Sequence, residues 1–511
     1  MILRSYRFRA VVRISALFIT VLLITTSLYA QRHNTARNMG LGGGGTAYMN
    51  DFHANFINPA NLMLSDKKVT IGGLGGFSTR GGGELANMTI YNEYFTQGHT
   101  INESMTAEIS DKMFGSAPSG SRKIGIDADA VLLGFNIKGK TQALSAAARV
   151  RALSSFSMSK GFFELSLGGL SETFFKDYKA VNVSGDVLTV GEVSVGYARE
   201  VWSTGNFGSP GSQRLFAGVA PKYMVGLDYY STRFNSQLKI SEDEMLVSHR
   251  FNYELDAVGK VSEQMNSYHA DRNTSGLVPV FGEYLSMDDV GSGLGSVKGT
   301  GYGIDMGVTY QRVMPSLPLM GGDYQTLTVS LSATDIGSVN FDEAPGRYSS
   351  EGHFEWKGLN YDNELINAEY DSSFTDYATH IQDSIGQNIY GNFSPENISG
   401  FSTALTPMFN LGAAYSAGKW NLMVDLGKGM NNRGTNSKQL SGIVGIEYNL
   451  FNFIPLRAGM RTGGAMNKAY SVGTGFNLSF LELTVGAMTS PQPFDSKLNF
   501  GAAWSGIVVK I

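Results

Sequence analysis

Apolar and polar residues alternate with a period of two, again and again, from residue 69 to the end of the chain. In 213–230, Leu215, Ala217, Val219, Pro221, Tyr223, Val225, Leu227 and Tyr229 fall on one side, with Lys222, Gly226 and Asp228 on the other. In 299–312, Tyr302, Ile304, Met306, Val308 and Tyr310 alternate with glycines, Asp305 and Thr309. In 439–450, Leu440, Val444, Ile446, Tyr448 and Leu450 alternate with Ser441, Gly445, Glu447 and Asn449. Similar segments occur near 69–78, 126–138, 142–152, 192–201, 245–256, 324–334, 404–415, 419–428, 454–462, 470–480, 481–488 and 498–509. A period of two is the signature of a strand. The segments run to about 9–12 residues, the length a tilted strand needs to cross a bilayer.

The side opposite each apolar row carries Gly, Ser, Thr and single charges, as a lumen-facing row does. Aromatics gather near segment ends, at Tyr229, Tyr230, Tyr302, Tyr310, Trp420, Tyr448 and Phe500, where the girdles of a membrane barrel lie. The pattern predicts an all-β fold, a transmembrane antiparallel β-barrel of about fourteen strands in one domain. A large soluble sandwich or propeller alternates too, but the chain has no blade-length repeat.

Polar stretches at 84–124, 157–186, 257–298 and 342–400 read as long extracellular loops, with a short helix within 161–170. The stretch 360–386 is acidic, with Asp362, Glu364, Glu369, Asp371 and Asp376. A solvated loop accounts for it, a divalent-cation site being the sharper alternative.

Composition strengthens the barrel reading. Charged residues are 16% of the chain, against roughly 25% in a soluble domain. Glycine makes up 63 of the 511 residues and is spread throughout. A net charge of −4 leaves no basic field for nucleic acid. The absence of cysteine excludes disulfides, iron–sulfur clusters, thiolate zinc sites, a cysteine nucleophile and a lipoprotein anchor.

The chain opens with Arg4, Arg7, Arg9 and Arg13, then an apolar run from Ile14 to Leu28, with Ala30 before Gln31. This is the layout of a secretory signal over residues 1–30. The run is short for a spanning helix of ~20 residues, although a membrane anchor is the alternative and Leu28 is bulky for its position. No later run of eighteen apolar residues follows, so the expected location is the cell outer membrane, crossed by strands.

Enzyme chemistry is not signalled. Gly40, Gly42 and Gly45 match a dinucleotide fingerprint by letter, but no strand precedes them. No nucleophile elbow, phosphate loop, His-Glu-x-x-His or calcium loop occurs. The seven histidines lack ligand spacing. The chain is therefore read as a non-enzyme with no catalytic residue, no metal and no cofactor. A barrel hydrolase whose Ser and His lie far apart in sequence is the residual alternative.

After the signal come Met39-Gly40-Leu41-Gly42-Gly43-Gly44-Gly45-Thr46-Ala47, then Asp51, then Asn58-Pro59-Ala60-Asn61-Leu62. This segment resembles the N-terminus of the FadL-like outer-membrane family, which includes channels for long-chain fatty acids and aromatic hydrocarbons. PorV-type barrels of Bacteroidota begin similarly. The resemblance implies that residues 31–66 fold inside the lumen as a plug, ahead of a barrel over 67–511. Its lumenal residues would be Gly42, Gly43, Gly44, Gly45, Ala47, Asp51, Asn58, Pro59 and Ala60. A flexible leader over Gly40–Gly45 is the plainer alternative.

Elsewhere, Phe216–Tyr223 and Pro455–Gly459 resemble strands of these barrels, and Ser332–Val339 resembles an uncharacterised Bacteroidota family that is itself FadL-like. The C-terminus, Val508-Val509-Lys510-Ile511, departs from the aromatic ending common in barrels. The residues agree with the resemblance. Glycine lets backbone approach a wall closely, Asn-Pro fixes a turn, and a lumenal Asp51 needs a wall arginine or backbone N–H groups.

The resemblance implies a channel for hydrophobic small molecules, with an apolar pocket in a plugged lumen and outer-membrane lipid around it; a ligand-sized apolar cavity beside Asn58-Pro59-Ala60 would favour this reading, and a lumen filled by side chains an interaction barrel. The alternatives are an interaction barrel serving a secretion or assembly partner protein, and a purely structural barrel.

Overall fold

The computed structural model describes residues 34–98, 100–117, 119–241, 246–275, 296–315, 325–356, 394–464, 468–491 and 497–511. The acidic stretch 360–386 and the stretch 1–30 read as a signal lie outside them.

The strands in chain order are β1 (Val69–Leu74), β2 (Gly76–Asn87), β3 (Ser121–Lys138), β4 (Gln142–Ser159), β5 (Lys179–Ala180), β6 (Val183–Thr204) and β7 (Gln213–Ser241). There follow β8 (Leu246–Val258), β9 (Gly299–Met314), β10 (Gln325–Phe341), β11 (Pro345–Trp356), β12 (Ser394–Glu396), β13 (Phe401–Ala404) and β14 (Met408–Ala417). The last are β15 (Trp420–Gly429), β16 (Leu440–Leu450), β17 (Ile454–Gly463), β18 (Ala469–Asn477), β19 (Leu481–Thr489), β20 (Lys497–Trp504) and β21 (Ile507–Lys510).

All strand pairings are antiparallel, and the ring closes where β1 and β2 meet β21 and β20. Three staves are built from two strands in line: β1 with β2, β13 with β14, and β20 with β21. Counted so, the ring has fourteen staves, as the alternation predicts. Closure pairs every edge, which membrane-spanning strands require. No helix among the described residues is long and apolar enough to cross a membrane.

Burial follows the pleat. On β3, Leu133, Phe135 and Ile137 are exposed outward while Gly134 and Asn136 are buried inward. The outer face is an apolar band, with Leu132, Val193, Leu331, Leu411 and Val472 among its exposed side chains. Trp420 packs on Tyr448 at the short-turn rim, ring centroids 4.5 Å apart. Tyr223 meets Tyr302 edge-on at 5.5 Å on the same outer surface. Short turns and the C-terminus lie at one end and long connections at the other, the usual periplasmic and extracellular ends.

Three departures from the sequence pattern have local causes. Segment 245–256 alternates like a stave but forms β8, which pairs with the upper part of β7 and with β11 above the ring. Together these make a sheet projecting beyond the barrel. β11 falls in a stretch read as loop, and helix Lys260–Ser275 packs beside it. Tyr229 was expected in the outward row. A bulge at Leu227, where Thr189 pairs Asp228 but Val190 pairs Gly226, reverses the facing. Tyr229 therefore points into the lumen and is buried.

Candidate functional site

Residues 34–65 lie inside the ring, almost all buried. Three short turns shape this segment. Thr35 caps helix Ala36–Met39 with a reciprocal Thr35–Asn38 capping box. Asp51 caps a 3₁₀ turn at Phe52–Phe56 by accepting the His53 N–H at 2.9 Å. Asn58 caps a second turn at Pro59–Leu64, with proline at its first position.

Wall glycines seat the segment. On the inner faces of β3, β6, β7 and β9, a methyl group at Gly134, Gly196, Gly218 or Gly307 would overlap Phe52, Asn55, Ala60 or Asn58. Across the lumen, Gly459 touches the backbone of Leu41 and Gly42, and Gly486 that of Ala36 and Gly40. The high glycine content thus has a local reason: backbone must meet backbone.

Polar wall groups complete the seat. Ser471 Oγ accepts the Gly42 N–H at 2.7 Å. The Asp425 carboxylate accepts the N–H of Gly45 at 2.6 Å and of Thr46 at 3.2 Å. Gly42 and Gly43, with φ of 79° and 84°, make the left-handed turn that aims these amides at the wall. Gly43 lies under the buried guanidinium groups of Arg80 and Arg461, and Gly44 against Asp425 and Ile443. Ala47 packs with Leu41, Ala414 and Met423.

The Asn58 amide donates to Thr309 Oγ1 at 3.0 Å and to the Thr46 carbonyl at 3.2 Å. Pro59 and Ala60 abut Gly218, and Ala60 packs with Ala54, Leu62, Ala143, Ala198 and Phe216. The place beside Asn58-Pro59-Ala60, where an apolar cavity would favour a channel, is occupied by this packed cluster. Asp51 pairs at 3.5 Å with Arg37, a residue of the segment itself. Arg37 reaches both oxygens of wall residue Glu482, at 2.8 and 2.9 Å, and Glu482 also pairs with Lys510.

Toward the loop end the lumen changes character. Arg149, Arg151, Glu192, Lys222, Asp305 and Asp335 form one buried ion network across β4, β6, β7, β9 and β10. Above it sits an apolar layer. Tyr229, Phe341 and Phe401 lie with ring centroids 5.1–5.7 Å apart, packed with Leu188, Val190, Val339 and Leu405. The connection after β15 folds inward over both layers. Its Arg433 pairs with Asp186 at 2.6 Å and faces the Tyr229 ring, and its Thr435 N–H donates to Asp127 at 3.0 Å. Between network and connection is a space of about 30 Å³, lined by Asp127, Arg151, Asp335 and Arg433, room for about one water.

A family model matches residues 59–489, from the start of the second 3₁₀ turn through β19. The chain belongs to that family of unknown function, DUF5723. No curated protein matches this family member by sequence. Among solved structures it is similar to the Ralstonia pickettii toluene transporter TbuX, at 10% identity and a TM-score of 0.43, over 94% of this chain and 99% of that one. The Pseudomonas putida toluene transporter TodX shows 10% identity and a TM-score of 0.41, over 94% and 97%. A Pseudomonas aeruginosa FadL homologue shows 12% identity and a TM-score of 0.37, over 95% and 99%.

Sequence reasoning named the segment's residues but not the wall groups that hold them. Asp425, Ser471, Glu482 and the Arg149–Asp335 network were missed. Their only signal was a lone polar or charged residue at an inward position of an alternating strand, which names a face and no partner.

Proposed function

We propose that this protein is an outer-membrane channel for hydrophobic small molecules, with residues 34–65 as its plug and the closure seam of the barrel as the route to the lipid. The observation that carries this reading is the seam itself. β1 and β2 part at Gly75, with Gly73 and Gly75 left-handed at φ of 90° and 74°. The facing stave parts at Ser505–Gly506 between β20 and β21. Leu74 and Ile507 are register partners at the fault, so the interruptions lie at one height. Both side chains are exposed on the outer surface.

Behind this fault stands the Phe52 ring, against Gly73 and Gly134, in a cluster with Phe56, Val131 and Val508. An apolar ligand entering lipid here meets apolar groups on both sides and avoids the ion network on the axis. Two adjacent staves interrupted at one height beside a plug ring suit a site of opening.

A second reading, a barrel that docks a secretion or assembly protein, is favoured by two observations: a packed cluster fills the place beside Asn58-Pro59-Ala60, and the sheet β7–β8–β11 projects beyond the ring. Purified protein with fatty acids of graded length, or with toluene, separates the two. A channel is stabilised thermally by such ligands and speeds their uptake into vesicles. No shift and no uptake with any apolar ligand, together with specific co-purification of one protein, reverses the assignment.

A further inference from the structure

Asp335 is one of four residues other than glycine with positive φ among the described residues, at 58°. It occupies a bulge in β10, where Ala333 pairs Met306 and Ile336 pairs Ile304, leaving two residues opposite Asp305. A left-handed non-glycine residue inside a strand costs free energy and persists only where its surroundings hold it. The surroundings here are ionic. The Asp335 carboxylate meets Arg151 Nη1 at 2.6 Å, Lys222 Nζ at 2.5 Å and Arg149 Nη2 at 3.6 Å. Thr406 donates to it at 3.1 Å, and the Asp335 N–H donates to Asp305 at 2.5 Å. The bulge turns one carboxylate toward three cations.

Arg149 joins this network to the plug. Its guanidinium is held by Glu192 at 2.8 Å and by Asp129 at 3.4 Å. Its face lies 4.0 Å from the centroid of the Phe56 ring, in the turn that also carries Phe52. A desolvated guanidinium over a ring is attractive, and the charges around Arg149 fix where that attraction acts. Phe56 therefore rests on a cation that Glu192 holds through two hydrogen bonds and that Asp335 approaches at 3.6 Å.

We infer that the Asp335-centred network is an ionic latch, which closes the lumen to ions and holds the plug down through the Arg149–Phe56 contact. This goes beyond the ligand reading above. A latch and seal of this kind can serve either a channel or a docking barrel, so the two stand or fall separately.

The experiment compares wild type, Asp335→Asn and Phe56→Leu in planar bilayers and by limited proteolysis of the 34–65 segment. Asparagine tolerates positive φ, so Asp335→Asn removes the charge and spares the bulge. Phe56→Leu keeps an apolar side chain and leaves every charge paired. Heat-shifted gel mobility reports that the barrel has formed. The expected result is a wild type without steady current. Both variants should show discrete openings and cleavage of the segment increased about tenfold, the scale of a desolvated cation–ring contact. If Asp335→Asn fails to form a barrel, Phe56→Leu decides alone. A folded Asp335→Asn or Phe56→Leu protein as silent and protease-resistant as wild type overturns the latch. So does a wild type that conducts steadily.

Discussion

The carboxylate of Asp425 on β15 receives the backbone N–H of Gly45 at 2.6 Å, joining positions 380 residues apart in sequence. The same carboxylate receives the next amide, of Thr46, at 3.2 Å. Charged acceptors make the stronger hydrogen bonds, and a buried donor left without one is costly. Asp425→Ala orphans two amides and should cost about 1–3 kcal/mol of unfolding free energy. Asp425→Asn keeps an acceptor and should cost less. Urea unfolding in lipid vesicles measures both. Equal stability of wild type and Asp425→Ala would remove Asp425 from the seat.

Packing of the wall gives a second test. Gly218 lies against Pro59 and Ala60, whereas a methyl group on Gly185 would approach Thr232 Cγ2 at 3.3 Å and no backbone of the segment. Gly218→Val should destabilise by about 1–3 kcal/mol, the usual range for overpacking, and should expose the segment to protease. Gly185→Ala should leave the segment protected. Similar behaviour of the two variants would mean that wall glycines do not seat the segment.

How much of this was readable beforehand depends on how far apart the partners lie. Period-two alternation located every stave, because inside and outside impose opposite solvents on successive residues. It misplaced Tyr229, since the one extra residue at Leu227 reverses the facing and leaves no mark on the pattern. It placed β8 among the staves because a sheet above the membrane, with helix Lys260–Ser275 against it, alternates as well. The glycine run and Asn58-Pro59 announced the segment, being local features. Asp425, Glu482 and Asp335 announced nothing, because a lone acid in a strand says only that it faces inward.

The seam offers a chemical test made clean by the absence of cysteine. Leu74→Cys and Ile507→Cys place thiols on register partners across the closure. Oxidation or a short dithiol-reactive linker should pin the two staves. Uptake of an apolar ligand should fall at least tenfold and return on reduction, while the singly substituted proteins stay active. Full uptake by the pinned barrel would rule out the seam as the exit.

Acidification bears on the projecting sheet. His249 of β8, beside Tyr253 and Phe251, has its pKa lowered by burial. The unfolded imidazole, with a pKa near about 6.5, therefore takes up a proton at higher pH than the folded one. The sheet keeps its full stability above that value and loses some as pH falls through it toward the lowered folded pKa. Amide exchange in β8 and β11, corrected for its intrinsic pH dependence, should quicken between pH 7.5 and pH 5.5. His249→Gln should flatten that response. A wild-type sheet with the same protection at both pH values would show that His249 does not matter here.

The two ends of the internal segment rest on opposite parts of the chain. Phe52 to Ala60 meets the glycines of β3, β6, β7 and β9, whereas Ala36 to Gly42 meets those of β17 and β19, with Met39 against Gly501 of β20. During assembly the glycine contacts of the first set need only the staves up to β9. The second needs β17, β19 and β20, which lie far downstream of the segment in the sequence. The segment is thus a bolt that cannot be shot home until the ring is complete. A barrel arrested before its final strands would carry it half-anchored, its glycine turn still open to proteases.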